Sequence, residues 1–167
     1  LGVPRELAGT AAPFRYNDLD SFRAALRKLD GKLAAVVMEP MSSELPRDGF
    51  LQNVIDACHD AGAVYVLDEV TSGWRFGFPG AAPVLGIEPD IAVYAKAMSN
   101  GYPAGAIIGR NEVMEAAHSV GVRSTATMMY GHIEQARHQA HHLLAIRDLQ
   151  RRHHGFTEFV PLPFVAG

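Results

Sequence analysis

At 167 residues the chain is long enough for one domain with a sizeable core, and 48% hydrophobic against 20% charged residues is an ordinary globular composition. Fifteen Lys and Arg against 18 Asp and Glu give a net charge of −3, which leaves no basic excess for nucleic acid and points to small molecules or other proteins as partners. A single cysteine, Cys58, excludes an internal disulfide and fits a reducing compartment; no apolar stretch reads as a signal peptide or a membrane span, so the cytoplasm is the expected location. The chain opens on Leu1 rather than methionine, so a fragment or a processed chain is expected.

In chain order, Leu1 to Tyr16 holds two prolines and two glycines and reads as a linker or an irregular edge. Asp18 can cap a first helix, in which Leu19, Phe22, Leu26 and Leu29 recur at three- and four-residue steps until Gly31 stops it. Ala34 to Met38 reads as a buried strand. A loop broken by Pro40 and Pro46 leads to a second helix with Leu51, Val54, Ile55 and Cys58 on one face. Cys58 is therefore a small core residue rather than a nucleophile, and His59 beside it is expected to turn to solvent. Val64 to Leu67, Ile91 to Ala95 and Ala106 to Gly109 are further strands, and the first two, rich in Val, Ile and Tyr, read as buried on both faces of a sheet. Strand and helix alternate, which implies a mostly parallel sheet.

Glu112 to His118 is a short helix and Ile133 to Leu149 a longer one, whose packed side is expected to be Ile133, Ala136, Ala140, Leu143 and Leu144. His138 and His142 stand at a helical metal-ligand spacing, but Gln139 occupies the place where the zinc-protease pattern needs glutamate, so a solvated face is the better reading. His153 and His154 suit the negative pole of that helix. Residues 151–167 read as an irregular, proline-broken tail after a domain spanning 1–150.

Chemistry concentrates between Ala63 and Gly105. Two apolar runs end on a charge, Asp68 after the first and Lys96 after the second, and open α/β sheets bind ligands at the carboxyl ends of their strands. Lysine acts in catalysis chiefly as a Schiff-base former. Of the three lysines, Lys28 falls on the polar side of the first helix and Lys32 in the turn after it, so only Lys96 follows a buried run. A merely solvated strand-end charge is the bland alternative. Asp68-Glu69 after an apolar run also matches the way nucleotide hydrolases hold magnesium, but the phosphate loop G-x-x-x-x-G-K-[ST] is missing from the sequence.

The order Glu39-Pro40, Asp68-Glu69-Val70-Thr71-Ser72-Gly73-Trp74-Arg75, Pro89-Asp90 and Ala95-Lys96-Ala97-Met98-Ser99-Asn100-Gly101-Tyr102-Pro103 resembles the core of class III pyridoxal-phosphate aminotransferases, and within them the glutamate-1-semialdehyde aminomutase-like branch. The resemblance covers roughly Tyr16 to Ala117. It implies part of the large domain of a fold-type I pyridoxal-phosphate transferase, an α/β fold with a mostly parallel sheet and flanking helices. It further implies that Lys96 holds pyridoxal phosphate as a Schiff base and shuttles a proton, that Asp68 faces the pyridine nitrogen, and that Val70 packs on the ring. Thr71 takes the place near the ring hydroxyl, and Thr125 in Arg123-Ser124-Thr125 the place of a threonine that reaches the phosphate across a dimer interface. The substrates implied are a small amino donor and an oxo acceptor, and the assembly a homodimer.

Such relatives are more than twice as long, and their phosphate loop, ring-stacking aromatic and small C-terminal domain have no counterpart in the sequence. Three functions are expected from different classes: an aminotransferase or aminomutase, a truncated and inactive relative serving as a binding or assembly module, and a nucleotide hydrolase. Sheet and helix faces without their usual cover imply a dimer or larger oligomer.

Overall fold

The computed structural model describes residues 4–41, 43–99, 101, 103–131 and 133–163. The chain forms two compact units, the first running to Ile108 and the second from Gly109 onward. The sequence placed the division at residue 150, but residues beyond 109 have a sheet of their own and gather around it.

In the first unit, Asp18 opens helix α1 (Leu19–Leu29) by accepting the Ser21 N–H at 2.8 Å, and Asp30 ends it in a left-handed turn. Strands β1 (Ala35–Met38), β2 (Val64–Asp68) and β3 (Ile91–Tyr94) run parallel, with helix α2 (Phe50–Asp60) between β1 and β2 and the short α3 (Ala81–Leu85) between β2 and β3. Strand β4 (Ala106–Gly109) lies beside β3, giving the order β1-β2-β3-β4. The predicted strands thus occupy one sheet, with Val64–Asp68 and Ile91–Tyr94 as neighbours.

Burial alternates along each of the first three strands, so the expectation of strands covered on both faces needs correction. Val36, Met38, Tyr65, Leu67, Ala92 and Tyr94 are buried on one face. On that side Phe22 of α1 and Phe50, Leu51, Val54, Ile55 and Cys58 of α2 complete the core. The other face carries Val37, Val66, Ile91 and Val93 and is open or half-open, because no described helix of this unit packs on it; Val37 is 63% exposed. Cys58 is fully buried, as its position on the apolar stripe predicts. His59 is exposed, as expected, and its Nε2 also meets Asp90 Oδ2 at 2.8 Å; that carboxylate accepts the Tyr65 N–H at 2.8 Å, joining the end of α2 to the start of β2.

The second unit contains α4 (Asn111–Ser119), β5 (Ser124–Tyr130), α5 (Ala136–His153) and β6 (Phe156–Pro163), with β5 and β6 parallel. Two expectations fail here. Within the predicted tail, residues 151–153 close α5 and Phe156–Pro163 form a strand rather than an irregular segment, while 164–167 lie outside the described residues; the strand accommodates Pro161 and Pro163 because it has a partner on one side only. Ile133, Leu143 and Leu144 are exposed, and Leu149 is the residue of α5 that is buried. His138 belongs to a capping box with Gln135, and His142 meets the Thr127 carbonyl at 2.7 Å, so each has a local structural task.

Tyr16 ties the entry of the chain to the end of β1, donating to the Pro40 carbonyl at 2.6 Å and packing edge-on against Phe50. Burial, with the nearby Glu44 carboxylate second, pushes its hydroxyl up to about 12. A free tyrosine ionises near pH 10, so the stabilisation from this shift is whole below pH 10 and is lost as pH rises through 12. Tyr16→Phe is expected to cost about 1 kcal/mol at neutral pH and to flatten part of the alkaline fall in stability. Chemical denaturation between pH 8 and 12 checks this, and an unchanged slope would contradict it.

Candidate active site

The site follows from the strand register. Asp68 on β2 pairs with Val93 on β3, so the chain leaves both strands at the same edge, and residues three beyond each, Thr71 and Lys96, can meet there. They do: Lys96 Nζ donates to Thr71 Oγ1 at 2.8 Å. Lys96 has φ +50°, a left-handed conformation that costs a non-glycine residue free energy and turns the chain sharply into the short 3₁₀ turn Lys96–Ser99.

Asp68 is half-buried at the last position of β2, and its Oδ1 accepts the Val70 N–H at 2.9 Å. Among the described residues its Oδ2 carries no hydrogen bond. The carboxylate lines a cavity of about 450 Å³ together with Thr71, Ser72, Arg75 and Phe76 of the following loop and Glu39, Pro40 and Met41 from the end of β1. Arg75 Nη1 donates to the Thr71 carbonyl at 2.7 Å, placing a guanidinium on the loop segment that holds the lysine's partner. Val70 is half-buried beside Asp68. Glu69 turns to the opposite face and is fully buried, because neighbouring strand residues alternate. Adjacent acids that diverge in this way do not share one metal, and among the described residues no cluster suited to a metal ion occurs.

Asp68, Val70, Thr71 and Lys96 are thus brought to one strand edge. Thr125 lies in the second unit, exposed on β5 at a register irregularity next to Ser124 rather than in a loop. Sequence reading left Glu39, Ser72, Arg75 and Phe76 out of the candidate site. Glu39 carried a signal, a charge ending an apolar run like Asp68 and Lys96, whereas the other three sit in a loop whose path no periodicity reveals.

The chain belongs to the class III aminotransferases: the family described as Aminotransferase class-III matches residues 11–132. Among curated proteins it is similar to the glutamate-1-semialdehyde 2,1-aminomutase of Citrifermentans bemidjiense, 36% identical over 117 residues that make up 68% of this chain and 27% of that protein. The enzyme of the same name from Pyrobaculum aerophilum is 37% identical over 118 residues, 68% of this chain and 28% of its own length. Among solved structures, the FumI protein of Sphingopyxis sp. MTA144 in its PLP internal aldimine form has TM-score 0.67 at 31% identity, covering 74% of this chain and 31% of that one. An omega-transaminase from Sphaerobacter thermophilus has TM-score 0.62 at 30% identity over 68% of this chain and 27% of its own. The chain therefore spans little more than a quarter of the curated relatives it matches, and residues 133–163 lie beyond the matched segment.

The strained lysine gives a stability test. At a left-handed position glycine is free of the penalty that alanine bears, so Lys96→Gly is expected to be more stable than Lys96→Ala by about 1 kcal/mol. Urea denaturation of the two variants decides it. The reverse order, normal for right-handed positions, would show that Lys96 is unstrained.

Proposed function

We propose that this chain carries part of the site of a pyridoxal-phosphate-dependent aminotransferase or 2,1-aminomutase that moves an amino group between a small amino compound and an oxo acceptor. The observation that supports it most is the meeting of Lys96 and Thr71 at the strand edge where Asp68 lines a cavity. The donor set fits the cofactor: a lone strand-end amine for its aldehyde, a carboxylate with an uncommitted oxygen for its ring nitrogen, and an aliphatic side chain, Val70, for a ring face. When bound, pyridoxal phosphate supplies an electron sink for the carbanion left after a proton is removed.

In this reading the Lys96 amine would hold the cofactor and would move the proton at Nζ. The Asp68 charge favours the protonated ring nitrogen, while its Val70 hydrogen bond fixes the carboxylate's orientation. Thr71 would serve the ring hydroxyl, Arg75 and Glu39 would offer opposite charges to polar ends of the substrate, and Thr125 would reach the phosphate held by a partner copy across the dimer interface. A homodimer is the proposed assembly and the cytoplasm the proposed location, the buried thiol of Cys58 fitting a reducing compartment; among the described residues no helix is long and apolar enough to cross a membrane. The open sheet face with Val37 exposed favours a second reading, a relative that acts as a binding or assembly module.

Two measurements separate these readings. Added pyridoxal phosphate is expected to give a visible absorbance band that Lys96→Ala abolishes; a wild-type chain without the band favours the binding module. With alanine as the amine, Asp68→Asn is expected to retain the band but slow its conversion by on the order of a hundredfold, the scale of a lost electrostatic contact to a developing charge. Equal rates would remove Asp68 from the site.

A further inference from the structure

Glu69 is fully buried yet belongs to none of the roles assigned above. A carboxylate is removed from water at a cost of several kcal/mol unless hydrogen bonds replace its hydration, and here they come from the loop that Glu69 begins. Oε2 accepts the Ala81 N–H at 3.0 Å and the Ser72 hydroxyl, and Oε1 accepts the Ala82 N–H at 2.9 Å. Its backbone is equally committed: its N–H donates to the Val93 carbonyl at 2.9 Å and its own carbonyl accepts the Gly73 N–H at 2.8 Å.

One side chain thus gathers the end of β2, the first turn of the loop, and the start of α3 twelve residues on. Two glycines permit the approach. A Cβ at Gly80 would stand 2.5 Å from Glu69 Oε1, and one at Gly73 would stand 2.7 Å from the Glu69 carbonyl oxygen and 2.8 Å from the Tyr94 ring. Between the fixed points Glu69 and Ser72 lie Val70 and Thr71, and Thr71 is the hydrogen-bond partner of Lys96.

We propose that Glu69 is a positioning residue for Lys96: its buried carboxylate closes the 69–82 loop and so holds the Thr71 hydroxyl where it meets the lysine amine. The role rests on the reading of Lys96 as the reacting amine. Asp68 and Glu69 then divide one strand end between them, the first turned to the cavity and the second to the core. The Asp68 to Val70 hydrogen bond spans the same stretch of loop, so two acids constrain it from opposite faces.

A chemical probe of the amine tests this without cofactor. Reductive methylation with formaldehyde and cyanoborohydride, read by peptide mass spectrometry, reports Lys96 against Lys28 and Lys32 as internal references. Thr71→Val frees the amine and is expected to raise the ratio of Lys96 to reference labelling by about two- to tenfold, the range of one net hydrogen bond. Glu69→Gln places an amide NH₂ against backbone donors, and Ser72→Ala releases the loop while leaving the carboxylate in place. Each is expected to raise the ratio in the same direction, and the gain should not multiply in the double variants with Thr71→Val, because both changes break the same contact. Ratios in Glu69→Gln and Ser72→Ala that equal the wild type, or double variants that show the full product of the single effects, would overturn the proposal. A wild type that labels as expected yet gives no absorbance band with pyridoxal phosphate defeats the aminotransferase reading and leaves the loop mechanism standing.

Discussion

Because β2 and β3 are neighbours running the same way with Asp68 opposite Val93, everything that leaves their carboxyl ends emerges at one edge and at one height. A slip of one residue would turn Asp68 to the core and Glu69 to the cavity, since successive side chains of a strand point to opposite faces. The register is held by burial: Tyr65 and Leu67 pack into the core with Phe22 of α1 and the apolar face of α2, and Ala92 and Tyr94 are buried on β3, where Tyr94 meets Trp74 edge-on at 5.2 Å. Each of the larger side chains contributes about 1.5–3 kcal/mol by burial, far more than the single hydrogen bonds at the edge. The position of Lys96 is therefore decided by packing several residues away from it, and the left-handed turn at Lys96 is a local cost that the packed strands can support.

Much of the first unit was legible in the sequence because its signals are local. The 3-4 spacing of apolar residues in α1 and α2, the Asp18 cap, and short Val- and Ile-rich runs each report an element through its own residues. Asp68 and Lys96 were legible for the same reason, each being a charge directly after an apolar run. What the sequence did not convey is what a second layer contributes. A run such as Ile91–Tyr94 looks the same whether one or both faces are covered, so the open face behind Val37 and Val66 emerged only from the packing. Ser72, Arg75 and Phe76 reach the cavity through a loop whose path depends on a carboxylate binding amides twelve and thirteen residues away, a pairing with no sequence period.

The second unit was read less well, and the reasons are physical. Ser124–Tyr130 has strand composition, but its resemblance to a phosphate-binding segment drew attention to Thr125 alone. In Phe156–Pro163 the prolines argued for irregularity, yet a strand with one partner has an edge where a missing N–H goes unnoticed. Helix α5 carries apolar residues at helical spacing that remain exposed, including Leu143 and Leu144, so periodicity correctly indicated a helix and wrongly indicated its packed side. The family match ends at residue 132, and the roles proposed for Asp68, Val70, Thr71 and Lys96 rest on the first unit, where amine, carboxylate and cavity are found together.

On the proposed reading Lys96, alone among the three lysines, holds pyridoxal phosphate. The most direct measurement of this is borohydride reduction of the chain after incubation with pyridoxal phosphate, followed by digestion and mass mapping of the pyridoxyl group. Modification confined to the peptide containing Lys96 is the predicted result. A pyridoxyl group spread over Lys28 and Lys32 as readily as Lys96 would contradict it, because adventitious amine chemistry would then account for whatever the chain binds.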